Sequence, residues 1–176
     1  METNQKSVFM VAGVHGALIG CGLIAYSIIL WMLDLSLVQA LGYVSYLILI
    51  VGIVLSLKNY RDTVLGGFMT YGQGLGLGVL NSFVAAVIAA VFSYIFLMYI
   101  DTEFINKIVE LSEQKMIEQG IPEEQLGPAL EIQKKFMTPL FMSGISVITT
   151  TLGGFIFSLI IAAIFKKQPD VFKDTI

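Results

Sequence analysis

Apolar positions gather into four long runs, at 8–33, 38–57, 75–100 and 140–165, and charge returns between them. Each run is close to the roughly 20 residues that a helix needs to cross a hydrocarbon layer. Inside hydrocarbon every backbone amide requires an internal partner, so runs of this length must be helical whatever their β-branched content. The pattern therefore predicts an all-α integral membrane protein with four transmembrane helices, at about 8–33, 38–57, 72–100 and 139–165. Between the third and fourth runs the pattern changes to a helical period with polar faces. Phe104, Ile105, Ile108, Leu111 and Ile117 fall on one side, and Gly120 is placed to end that helix. Pro122, Glu123 and Glu124 suit a helix opening, because proline fits the first turn and acids favour the positive end of the helix dipole. A second helix follows with Leu126, Leu130, Gln133 and Met137 on one side, ending before Pro139. The chain reads as one membrane domain, 1–176, carrying a helical hairpin at 101–138.

Composition agrees with this reading. Of the 176 residues, 56% are hydrophobic and 13% charged, against about 45–50% and about 25% in soluble domains. The net charge of −3 and the lack of a basic stripe argue against nucleic acid as a partner. The first run is far longer than the roughly 7–15 residue core of a cleaved signal. If four helices alternate, Lys6, Lys58, Arg61, Lys166, Lys167 and Lys173 share one face, whereas 101–138 holds four lysines against eight acids. Basic residues close to the membrane mark the cytoplasmic side, so both termini are expected in the cytoplasm of a bacterial inner membrane and the hairpin outside. Tyr60, Phe68 and Tyr71 are expected at the inner interface, with Trp31, Tyr43, Tyr46, Tyr94 and Tyr99 at the outer one.

Glycine occupies every second place from Gly72 to Gly78 in FMTYGQGLGLGVLN, at 68–81. A dinucleotide fingerprint would need its third glycine at Leu77 or Val79, and a Walker loop needs a Lys-Ser or Lys-Thr ending that the chain lacks. TYGQG at 70–74 is like a potassium filter on paper, but it follows a basic loop and runs straight into a span without a pore helix. Helix packing remains. Gly74, Gly78, Ser82, Ala85, Ala89 and Ser93 form a stripe of small residues at steps of three or four. Ala12, Gly16 and Gly20 do the same in the first span, and Ser143, Ser146, Thr150, Gly154 and Ser158 in the fourth. Such stripes let membrane helices approach closely.

His15, Asn81 and Ser158 are polar positions within the spans. At about 1.5 Å per residue they lie roughly 10, 14 and 10 Å from the inner surface. They are expected to form either a polar cavity gated through His15, or hydrogen bonds from a neutral His15 to Asn81 or a hydroxyl that stabilise helix association. One histidine, one cysteine (Cys21) and no deep carboxylate leave no triad and no metal cage, so neither enzyme activity nor a cofactor is expected.

KNYRDTVLGGFMTYGQGLGLG at 58–78, YIDTEFINKIVE at 99–110 and TPLF at 138–141 resemble landmarks, in order, of a Bacteroidota membrane family, number 4199 among the domains of unknown function. The resemblance implies a four-span inner-membrane protein with an outer helical insert and brings no activity with it. The chain carries Gln73 and Gly76 where the resemblance leads one to expect a lysine and a bulkier residue. Arg61 suits a lipid phosphate or a partner's acid, or else anchors the loop and pairs with Asp62. The expected function is a non-enzymatic accessory or scaffold subunit that binds membrane lipids and a membrane-protein partner or a second copy. The alternatives are a small transporter or channel, or an accessory to envelope lipid or glycan handling with Lys58, Arg61, Lys166 and Lys167 at the headgroups.

Overall fold

The computed structural model of the protein describes residues 2–167. Lys173 and the side chain of Lys6, both counted among the bases of one face, lie outside it. In chain order the helices are α1 (Glu2–Met32), α2 (Gln39–Asn59), α3 (Tyr71–Ile95), α4 (Phe104–Glu118), α5 (Glu123–Phe136) and α6 (Pro139–Phe165). α2 is prolonged by a π-helical turn, Tyr60–Val64, and α3 by another, Phe96–Ile100. With these extensions α1, α2, α3 and α6 are long and apolar enough to cross a membrane, and the protein is a multi-pass membrane protein. Their apolar surface is largely turned outward. In the most apolar stretch of each, 22 to 28% is buried, and Leu18, Val51, Val91 and Ile160 are among the large side chains left exposed. Lipid chains are the solvent that such a surface requires.

The chain divides into two compact units, one built from the described residues up to Ala89 and from Ile148 onward, the other from Ala90–Val147. The second is larger than the 101–138 insert because aromatic contacts tie in the ends of α3 and α6. Phe92, Phe96 and Phe104 follow one another with ring centroids 5.9 and 6.4 Å apart, and Phe136 meets Phe141 at 5.6 Å. Val109 and Leu126 are buried, at 5% and 7% exposure, and Gln133 Nε2 donates to Ser112 Oγ at 2.9 Å, which joins α5 to α4. Ile117 is exposed and Met137 falls just beyond α5, so the buried line passes through Val109 instead. Gly120 adopts φ +76°, the left-handed conformation that ends a helix when no Cβ obstructs it.

In the first unit α1 and α2 run antiparallel. Ile19 fills the notch at Gly52, and the Tyr26 hydroxyl donates to Leu41 O at 2.8 Å. Tyr60 continues the buried line of α2 through Leu49, Ile53, Ser56 and Leu57 and is fully buried in the core, rather than at the interface expected for it. Phe68 and Tyr71 stay exposed. Gly66 and Gly67, at φ +64° and +95°, reverse the chain in a conformation that side-chain-bearing residues rarely adopt. Met69 then makes a two-way backbone bridge to Lys167, with both N–H···O distances 2.9 Å. The start of α3 is thereby fastened to the end of α6.

Leu126→Ala should cost about 2 kcal/mol, the lower end for truncating a buried leucine. Hydrogen–deuterium exchange should quicken through 104–136 while the amides of α1 and α2 keep their rates.

Candidate helix-packing and polar site

Small residues in the first unit are notches filled by a neighbouring helix. α3 and α6 interlock in antiparallel steps, with Gly74 against Ala162, Gly78 against Ser158 and Ser82 against Gly154. A Cβ at Gly74 would stand 3.2 Å from that of Ala162. One at Gly78 would fall on the Ser158 hydroxyl, and one at Gly154 on the side chain of Ser82. α1 meets α3 in parallel. A Cβ at Gly16 would lie 2.6 Å from Val84 Cβ and 2.9 Å from Asn81 O, and one at Gly20 would lie 3.1 Å from Ile88 Cβ and 3.2 Å from Ala85 O. Ala12 and Ala85 are buried with these notches. Ala89 is half-buried, and the inward position falls on Ala86 and Ala90 instead. Steps of four drift around a helix of 3.6 residues per turn. Thr150 is half-buried and lines a groove of about 330 Å³ with Leu23, Gln39, Tyr43, Tyr46 and Leu49. Tyr46 also meets Phe157 edge to face, at 6.0 Å.

His15 does not pair with either partner expected for it. Its Nδ1–H donates to Val11 O at 3.0 Å, and its Nε2 accepts from Asn59 Nδ2 at 3.3 Å. The Thr63 hydroxyl donates to Asn59 O at 2.6 Å and lies 3.2 Å from Asn59 Oδ1. Antiparallel pairing of α1 and α2 creates this chain of contacts, and neither Asn59 nor Thr63 stands out in sequence. Asn81, Ser158 and Ser56 are fully buried. Among the described residues the amide of Asn81 and the hydroxyls of Ser56 and Ser158 have no hydrogen-bond partner. Ser82 is satisfied within its own helix, donating to Gly78 O at 2.9 Å.

The TYGQG stretch resolves into a capping box. Gln73 Oε1 accepts from Thr70 N at 2.9 Å and from the Thr70 hydroxyl at 3.1 Å, while Gln73 N lies 3.3 Å from Thr70 Oγ1. A threonine followed three places later by glutamine satisfies orphan amides at a helix start in this way, and that signal was present in the sequence beneath the glycines. At the same end of the unit, Arg61 Nε donates to Asp62 Oδ1 at 2.7 Å, and the guanidinium lies 5.5 Å from the centre of the Phe165 ring. Lys167 Nζ lies 5.8 Å from the centre of the Phe68 ring. Lys58 and Lys166 are exposed.

Four spanning helices locked through glycine, serine and alanine notches make this an integral membrane protein whose best-defined site is a packing seam. The chain belongs to the family described as Protein of unknown function (DUF4199), whose profile matches residues 15–167. None of the curated proteins matches the chain, and no solved structure does.

Gly154→Ala should lower stability by roughly 1–3 kcal/mol through overpacking against Ser82. Ser82→Gly in the same chain should recover most of that loss, as read from unfolding in mixed micelles. His15→Phe should cost only about 0.6 kcal/mol, the average for a hydrogen bond between membrane helices, measured in the same assay.

Proposed function

We propose that the protein is a non-enzymatic scaffold or accessory subunit of a bacterial cytoplasmic membrane, docking a membrane-protein helix or a second copy of itself through α1. The observation that carries this reading is that α1 bears two small-residue ridges. Gly16 and Gly20 are filled by α3, and Ala12 is buried one turn before them. Gly13, Ala17, Cys21 and Ala25 form a second ridge at steps of four, half-buried to exposed, with nothing within 4 Å of a Cβ at Gly13. Two facing ridges of this kind let spanning helices associate where lipid already solvates apolar side chains. The reading also has both termini in the cytoplasm and the α4–α5 hairpin on the opposite side, because Lys58, Arg61, Lys166 and Lys167 sit at span ends and basic residues are retained inside. A transport pathway is disfavoured by the interleaving of Gly78 with Ser158 and of Ser82 with Gly154, which leaves the middle of the seam filled.

Cys21 is the single cysteine of the chain and is exposed on that ridge, so oxidative or short-spacer crosslinking in native membranes tests the reading directly. The expected result is one discrete product, either a dimer of this chain or a fixed-mass adduct, lost in Ala17→Leu. Absence of any Cys21 product, together with ion flux through liposomes holding the purified protein, would overturn it in favour of a channel.

A further inference from the structure

We propose that the end of the first unit carrying Lys58, Arg61, Lys166 and Lys167 is a binding site for the phosphate headgroup of an anionic phospholipid. The four bases come from three places in the sequence: the last turn of α2, the π-helical turn after it, and the residues just past α6. The Met69–Lys167 backbone bridge fastens the loop to the end of α6. Lys58 and Lys167 stand close enough to Asp62 to act on its carboxylate alongside Arg61. Across 56–74 and 158–167 Asp62 is the one acid against these four bases, so four positive charges less one leave a net of +3.

Two of the cations are held in place rather than left to wander. Arg61 rests on Phe165 and spends one of its guanidinium donors on Asp62, which leaves most of that fork for an oxyanion. Lys167 sits over Phe68. A lipid fits better than a soluble anion because the charge is continuous with an acyl-facing surface. Ile160 and Ile164 are exposed at 61% and 72% on the last turns of α6, and Phe68 at 43% beside Lys167. A ligand with a phosphate head and hydrocarbon tails matches both parts. Basic pockets at the membrane surface bind such heads. The inference is independent of whether α1 docks a partner, because lipid binding by the isolated protein does not require one.

The test uses the full chain in neutral detergent, titrated with dioleoyl phosphatidylglycerol or dioleoyl phosphatidylcholine and read by native mass spectrometry. Phosphatidylglycerol should be preferred, and each neutralised base should remove about fivefold of the preference. Arg61→Gln with Lys167→Gln should therefore lose most of it. Lys58→Gln with Lys166→Gln, two exposed side chains, gives the same reading if the first pair folds poorly. Lys134→Gln with Lys135→Gln on α5 removes as much charge and should change nothing. Equal binding of the two lipids, or a preference that survives both pairs at the site, overturns the proposal. Displacement of phosphatidylglycerol by millimolar inorganic phosphate also overturns it, assigning the site to a free anion.

Discussion

Between helices in hydrocarbon, burying a leucine gains little, because lipid tails are as apolar as the leucine itself. What remains is the number of atoms that two helices can bring into van der Waals range, each pair worth only about 0.1–0.2 kcal/mol. Close approach of backbones is therefore the constraint on which the first unit depends. Glycine in one helix faces serine or alanine in the next at Gly74–Ala162, Gly78–Ser158 and Gly154–Ser82. The alternation matters as much as the small size. A glycine facing a glycine would leave a gap, whereas a glycine facing a serine is a notch holding a knob of matching size.

This arrangement fixes register as well as affinity. Sliding α6 along α3 by one turn would carry Ser158 past Gly78 toward Ser82, setting two side chains where one fits. It would likewise move Gly154 away from the side chain that fills it. Ser82 meets the polar cost of its position by donating to Gly78 O, so its hydroxyl asks nothing of the neighbouring helix. Asn59 and His15 do the equivalent between α1 and α2, where a directional contact at one end complements the Ile19–Gly52 packing farther along. An interhelical hydrogen bond is worth about 0.6 kcal/mol on average, less than the dispersion of a continuous seam, so it selects among packed alternatives more than it drives packing.

How much of this was legible in the sequence follows from the range of each signal. The four spans were readable because length and apolarity act locally, and the observed limits stay within a few residues of those expected, apart from the start of α1 at Glu2 and the π-helical turn that carries the second span on to Val64. The family was legible from motifs in order along the chain. The stripes identified which residues were small but not which helix each would face, nor that they would drift from Ala89 to Ala86 and Ala90. A tyrosine beside a basic loop suits an interface, but Tyr60 follows Leu57 and Ser56 at the helical step of three and four on the buried face of α2, and that register turns it inward. His15–Asn59 was out of reach because a separation of 44 residues becomes a contact only once antiparallel register is known. The capping box at Thr70 and Gln73 is the converse case: the signal was local and present, but the glycines beside it invited the wrong comparison.

A seam filled in this way directs attention to what the packing leaves over. α1 uses one small ridge and leaves another. The loop after α2 is fastened to α6 by backbone bonds at Met69 and Lys167, which demand no particular side chain at Lys167, so the lysine there is not explained by the bridge. Arg61 and Lys167 lie against aromatic rings, contacts that a leucine or methionine could replace if filling space were the need. Because retention of basic residues inside counts charge rather than geometry, it explains why bases are present but not why two of them are held in place. Fixed cations beside an exposed apolar face are what a phosphate headgroup with acyl tails would meet.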